Sequence, residues 1–164
     1  MKHSHLVGLI ADTHDHRPAI QKAVALFNER GVKLVLHAGD FVAPFTAKDF
    51  GKLDSAFIGV FGNNDGERAG LRKAFGEIGE IYAGVQPFQY ESRKFVLMHE
   101  PSCIEALVHS GDFDVILYGH THEPEIREGE TLVINPGEAC GWVSGRRTAA
   151  ILDLDGMKVE IVDL

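Results

Sequence analysis

Leu6-Val7-Gly8-Leu9-Ile10-Ala11-Asp12-Thr13-His14 decides how this chain is read. The apolar run is short and continuous, which predicts a buried strand over residues 5–11. It ends on a carboxylate, with an imidazole two residues further on. The same grammar recurs along the chain. Leu34-Val35-Leu36 leads through His37-Ala38-Gly39 to Asp40, and Phe57-Ile58-Gly59-Val60-Phe61-Gly62 stops at Asn63. Phe95-Val96-Leu97-Met98 stops at His99, and Val115-Ile116-Leu117-Tyr118-Gly119 stops at His120, followed by Thr121 and His122. In an α/β sheet, ligands gather in the crevice beyond the carboxyl ends of the strands. Asp12, His14, Asp40, Asn63, His99, His120 and His122 are therefore expected to converge, although more than a hundred residues separate the first from the last.

Working outward, the first half alternates strands and helices. Pro18 suits a first helical turn. Ile20, Ala23, Val24 and Phe27 then follow helical spacing up to a stop at Gly31. Strands are expected over 32–37 and 55–61. A short helix runs from Pro44 to Phe50-Gly51, and another spans 67–75 before Gly76. This order implies a largely parallel sheet covered by helices. The second half reads differently. Residues 86–91 and 93–98 pair around Ser92, 102–109 form a short helix, and 114–119 form another buried strand. Strands over 125–128 and 131–134 flank Gly129. Strands over 148–154 and 157–162 flank Asp155-Gly156, a hairpin signal. Leu152, Leu154, Val159 and Ile161 alternate with polar neighbours, as strands buried on one side should. The fold class expected is α/β, with two packed mixed sheets flanked by helices in a single domain over 1–164.

The bulk numbers narrow the function. The chain has 164 residues, 45% of them hydrophobic and 24% charged, as in ordinary globular proteins. A net charge of -8 argues against a stable complex with nucleic acid, which draws on Lys and Arg. A small phosphorylated substrate held by metal is compatible with it. Cys103 and Cys140 form no close pair, which fits a reducing compartment and thiols buried rather than reactive. The first residues read as lacking a signal peptide, and no apolar run approaches a membrane span. The expectation is a soluble cytoplasmic protein without a membrane partner, with self-association into a homo-oligomer left open.

Each motif is weak by itself. Asp-x-His, Gly-Asp and Gly-Asn-Asn-Asp are ordinary turn chemistry. Together they deliver nitrogen and oxygen donors to five strand ends. That donor set suits two divalent ions, with manganese the first choice and nickel, iron, cobalt or zinc as alternatives. Asn63 completes a shell without adding charge, and Asp40 has two oxygens with which to bridge. Two divalent ions, two carboxylates and one hydroxide leave a formal charge of about +1, which attracts a phosphate ester. His37 reads as a satisfied core histidine, and His3, His5 and His109 as exposed. Asp65 is a candidate for orienting a donor, and Asn135-Pro136-Gly137 a turn that supports the His120–His122 loop. Trp142 reads as packing and Arg146-Arg147 as a solvated face.

In order, Asp12-x-His14, Gly39-Asp40, Gly62-Asn63-x-Asp65, His99 and Gly119-His120-x-His122 resemble the calcineurin-like metallophosphoesterases. Their small single-domain bacterial and archaeal phosphodiesterase branch is the nearest in pattern. The resemblance implies an α/β/β/α sandwich. It also implies one metal on Asp12, His14, Asp40 and His122, and a second on Asp40, Asn63, His99 and His120. A hydroxide between them would attack phosphorus in line. The chain departs from the family in having Asn64 where many members have His, and His99-Glu100-Pro101 where many have His-Gly-His. Ala43 likewise stands where a polar residue is common. Asn64 can donate a hydrogen bond but supplies no proton at neutral pH, so slow turnover of esters with basic leaving groups is expected, with His16 the nearest candidate acid. The resemblance also reaches a retromer subunit, so a non-catalytic protein-binding scaffold is the alternative.

Overall fold

A computed structural model describes residues 5–164, and the reading of His3 and the first residues lies outside them. The first half contains β1 (Leu6–Ile10), α1 (Arg17–Glu29), β2 (Leu34–His37), a 3-10 turn (Pro44–Thr46) leading into α2 (Ala47–Phe50), β3 (Ala56–Val60), α3 (Arg68–Phe75) and β4 (Glu80–Tyr82). The second contains β5 (Gln86–Tyr90), β6 (Arg93–Leu97), α4 (Ile104–Ser110), β7 (Val115–Leu117), β8 (Pro124–Arg127), β9 (Leu132–Pro136), β10 (Thr148–Asp153) and β11 (Lys158–Asp163).

The strands form two mixed sheets, a six-stranded one ordered β11-β10-β1-β2-β3-β4 and a five-stranded one ordered β5-β6-β7-β9-β8. β1 to β4 run parallel, as do β6, β7 and β9, and the remaining strands are antiparallel. Strand alternation explains the layers. Val7 and Leu9 of β1 join Leu34, Leu36, Phe95, Leu97, Val115 and Leu117 in the core between the sheets. Ile10 faces the other way, onto Ile20, Val24 and Phe27 of α1. Val96, Met98, Ile116 and Val133 meet Ile104 of α4 on the outer face of the second sheet. A strand covered on both faces must be apolar at every position, hence the continuous runs. Each large side chain so buried contributes about 1.5–3 kcal/mol.

Three readings change. β4 was not foreseen: its three residues are too few to show a period, and it forms an edge only because β3 is there to pair with. β10 is covered on both faces, since it lies between β1 and β11, with Ala149 and Ile151 toward the helices and Ala150 and Leu152 toward the second sheet. The last hairpin pairs Asp153 with Lys158, so its loop spans residues 154–157 rather than Asp155-Gly156 alone.

Candidate metal centre

The parallel strands β1, β2, β3, β6 and β7 end at one seam between the sheets. Backbone bonds join their loops: Asp12 N–H donates to Gly39 O (3.0 Å), His14 N–H to Asp40 O (3.1 Å) and Gly119 N–H to His99 O (3.0 Å). The second sheet is stitched to the first at the same place, where His120 N–H donates to Asp12 Oδ2 at 3.0 Å. Phe41, fully buried beneath this seam, packs on Phe50, Phe57 and Phe75 and so anchors the loop that carries Asp40.

Five of the seven predicted donors adopt left-handed backbone: Asp12 (φ 51°), His14 (38°), Asp40 (63°), His120 (71°) and His122 (65°). Such conformations cost about 1–3 kcal/mol each outside glycine, and they persist where the surroundings over-determine them. Close approach adds a second constraint. A Cβ on Gly62 would lie 2.1 Å from Asp40 Oδ1, and one on Gly39, itself at φ 97°, would lie 2.6 Å from His99 Nδ1.

The side chains meet with electron pairs facing electron pairs. His122 Nδ1 lies 2.6 Å from Glu138 Oε2, and a carboxylate only accepts, so Nδ1 carries the hydrogen. Its Nε2 then points a lone pair toward Asp12 Oδ1, 3.5 Å away, a buried oxygen with no hydrogen-bond partner. His99 Nδ1 donates to the Ala38 carbonyl at 2.7 Å, so its Nε2 turns to two further acceptors, Asn63 Oδ1 at 2.8 Å and Asp40 Oδ2 at 3.4 Å. His120 Nδ1 approaches the same Asn63 oxygen at 3.1 Å. His14 Nε2 stands 3.2 Å from Asp40 Oδ2 and 3.8 Å from Asp12 Oδ1, buried, at angles that close no hydrogen bond. Buried polar atoms left this way are costly. A cation among them, or protons on the imidazoles, resolves the conflict.

The electrostatics agree. Asp12 and Asp40 draw the His14 pKa up to about 10. Burial works against a charge on His99, yet Asp40 leaves its pKa raised. Burial also opposes ionisation of Asp40, but the facing His14 and His99 imidazoles and two hydrogen bonds from Asn64 hold it well below the usual carboxylate range. One ligand atom from each of Asp12, His14, Asp40 and His122 lies within 4.8 Å of the others, close enough to hold a metal ion. Asp40 Oδ2 faces His14 on one side and His99 on the other, which suits a bridge.

The donors are oriented from behind, partly by residues the sequence reading missed. Glu138 follows β9 and is fully buried. Burial would raise its pKa, but hydrogen bonds from His122, Ser144 and Cys140 hold it down at about 2. It fixes the tautomer and orientation of His122, the arrangement by which an outer carboxylate serves a metal-binding histidine. Its signal was an acidic residue just past an apolar run, masked by the Pro136-Gly137 turn. Asp65 accepts the backbone N–H groups of Asp40 (3.0 Å), Val42 (2.7 Å) and Gly62 (2.7 Å), and so holds two donor loops together. Asn135 Nδ2 donates to Gly119 O (3.1 Å) and Thr121 Oγ1 (2.9 Å), supporting the His120–His122 loop. His37 is fully buried, accepts from Gly39 N–H at 3.0 Å, and has its pKa pushed down to about 3 by burial.

Some of the other positions differ from expectation and others agree with it. Asn64 donates from both its backbone N–H (2.9 Å) and one hydrogen of its side-chain amide (2.8 Å) to Asp40, which ties the residue to that carboxylate. His16 caps α1, its Nδ1 accepting Ala19 N–H at 3.1 Å, and an imidazolium has no lone pair for that bond. Trp142 is not packed into a core: it is 65% exposed and donates to His14 O at 3.3 Å. His5 is half-buried near Asp155. Arg146 pairs with Asp163 at 2.6 Å on the surface. Cys103 and Cys140 are free, and burial pushes the Cys140 thiol up to about 12. Among the described residues, no helix is long and apolar enough to cross a membrane.

Two facing mixed sheets with helices outside, and nitrogen and oxygen donors crowded at their joined strand ends, define a metal-site α/β/β/α sandwich. The calcineurin-like phosphoesterase superfamily domain matches residues 6–157, and this chain belongs to that family. It is similar to a phosphodiesterase of Methanocaldococcus jannaschii, with 42% identity over 154 residues, covering 91% of this chain and 93% of the relative. A solved archaeal phosphodiesterase superposes with a TM-score of 0.92 at 39% identity, covering 97% of this chain and 99% of that one. Vacuolar protein sorting 29 of Cryptosporidium parvum shares the fold, with a TM-score of 0.61 at 19% identity over 98% of this chain and 97% of its own.

Proposed function

We propose that this protein is a metal-dependent phosphodiesterase working with two divalent ions, manganese being the first choice. One ion would sit among Asp12, His14, Asp40 and His122, and the other among Asp40, Asn63, His99 and His120. The observation that carries this reading is the crowding of nitrogen and oxygen donor atoms at 2.8–3.5 Å, with Asp12 Oδ1 and His14 Nε2 buried among them without a hydrogen-bond partner. When bound, such a pair lowers the pKa of a water and offsets charge on phosphoryl oxygens, which makes in-line attack on phosphorus feasible.

The chain's own residues do the rest. Glu138 keeps the His122 Nε2 lone pair aimed inward, and the Ala38 carbonyl does the same for His99. Asn64 and Asp65 hold Asp40 in its left-handed conformation. A cleft of about 300 Å³ opens beside Asn63 and His99, lined also by Phe61, Arg68 and Met98, with room for one arm of a diester. A larger hollow of about 450 Å³ between α4 and Tyr118 contains none of the seven donors. No imidazole stands directly after Asn63, and His16 is committed to its cap, so good leaving groups are favoured. The similarity to archaeal phosphodiesterase, seen in sequence and in structure, supports the diester over the monoester. The scaffold alternative is not favoured, because each of the seven donors is in place.

The test is hydrolysis of bis(p-nitrophenyl) phosphate by metal-stripped protein after addition of Mn²⁺, with Asp40→Asn as control. Turnover that requires metal and vanishes in the folded variant is expected. Bound metal without turnover of any diester would move the assignment to the scaffold.

A further inference from the structure

The loop after Glu138 exposes two large apolar side chains side by side, Trp142 at 65% and Val143 at 75%. A single exposed tryptophan means little by itself. This one is held in place. Its indole Nε1 donates to the carbonyl of His14, a predicted metal donor, at 3.3 Å. Its ring meets the His16 imidazole at 4.8 Å between centroids, tilted by 57°. Behind it, the buried Glu138 carboxylate accepts Val143 N–H at 3.1 Å and the Ser144 hydroxyl at 2.6 Å. The same carboxylate orients His122 at 2.6 Å. One buried charge therefore orients His122 and fixes the loop residues that follow Trp142. Aromatic faces held rigidly beside a phosphate-binding centre are stacking platforms for flat rings, which bind with little loss of conformational freedom.

We propose that Trp142, with His16 beside it, is a specificity platform that stacks an aromatic ester group, aryl or nucleobase, of the substrate while its phosphoryl group lies on the metal centre. This rests on the phosphodiesterase reading. The platform selects for diesters with a flat ring and is indifferent to which ring, since the loop offers stacking rather than base-edge hydrogen bonds.

Calorimetric titration of the Mn²⁺-loaded full chain with phenylphosphonate and methylphosphonate tests it, because the two share the metal-binding group and differ in the ring. The phenyl compound is expected to bind about tenfold more tightly. That ratio should fall to about one in Trp142→Ala and largely return in Trp142→Phe. Trp142 is the sole tryptophan of the chain, so its fluorescence should also respond to the phenyl compound. Equal affinities in the wild type, a ratio unchanged in Trp142→Ala, or no binding of either phosphonate would overturn the proposal. So would self-association that shields Trp142 from the ligand. A Trp142-dependent ratio in a protein that hydrolyses no diester would sustain the platform and remove the phosphodiesterase reading.

Discussion

The two sides of Asp40 are built from different chemistry. On one side, Asp12 adds a second carboxylate, and Glu138 stands behind His122 as a third. On the other, Asn63, His99 and His120 add no carboxylate, and the group behind His99 is a backbone carbonyl. The charge-rich side can compensate a divalent ion by itself, whereas the neutral side depends on Asp40. The two sides should therefore fill with different affinities, the Asp12 side first. An asymmetric pair is a physical route to one ion held for structure and one exchanged more readily.

That contrast can be broken in order of effect. Asp12→Asn should remove the tighter ion and abolish turnover, as metal analysis of the folded variant against wild type would show. Asn63→Ala should remove only the weaker ion. The tighter one would then stay through dialysis, and its loss as well would show the sides to be equivalent. Glu138→Gln keeps the shape but weakens the charge behind His122, and about 10–100-fold in metal affinity or activity should be lost. The loss should be confined to the tighter ion in competition with a chromogenic chelator.

The metal-free protein offers a subtler test. His14 has its pKa raised to about 10, so at pH 8 it holds a proton that an entering ion must displace. Filling the Asp12 side should release about one proton per chain, readable in calorimetry across buffers of different ionisation enthalpy. His37 acts on stability rather than on the donor cluster. The folded form keeps its ring neutral down to about pH 3, while the unfolded chain takes up a proton near 6.5. Between these values the unfolded state binds more protons, so stability falls as pH falls, by about 1.4 kcal/mol per unit at most. Above 6.5 the contribution is complete. Ring NMR should show His37 not titrating between pH 7 and 4.

Much of this arrangement was legible beforehand because buried parallel strands write themselves as continuous apolar runs. Such a run ending in Asp, Asn or His marks a strand end and a donor together. Asp12, Asp40, Asn63, His99 and His120 were readable for that reason. Glu138 obeys the same rule, but Pro136-Gly137 reads first as a turn. Asn64 and His16 were read as candidates for the chemistry; the bond from Asn64 to Asp40 had no local signal because its partner is distant in sequence, whereas the His16 cap bonds Ala19 three residues on and was within reach of the sequence.

The order of strands and helices apart from β4, and seven candidate donors of N,O character, are legible in the sequence alone, since local periodicity and residue chemistry carry them. The tertiary structure decided which electron pairs face each other and which carboxylate stands behind His122. It also decided that Trp142 rims the centre instead of filling a core. Those outcomes depend on how two sheets register against one another across a seam, through hydrogen bonds such as His120 N–H to Asp12 that join residues 108 apart. No local pattern encodes that registry. It is set by the packing of the core between the sheets.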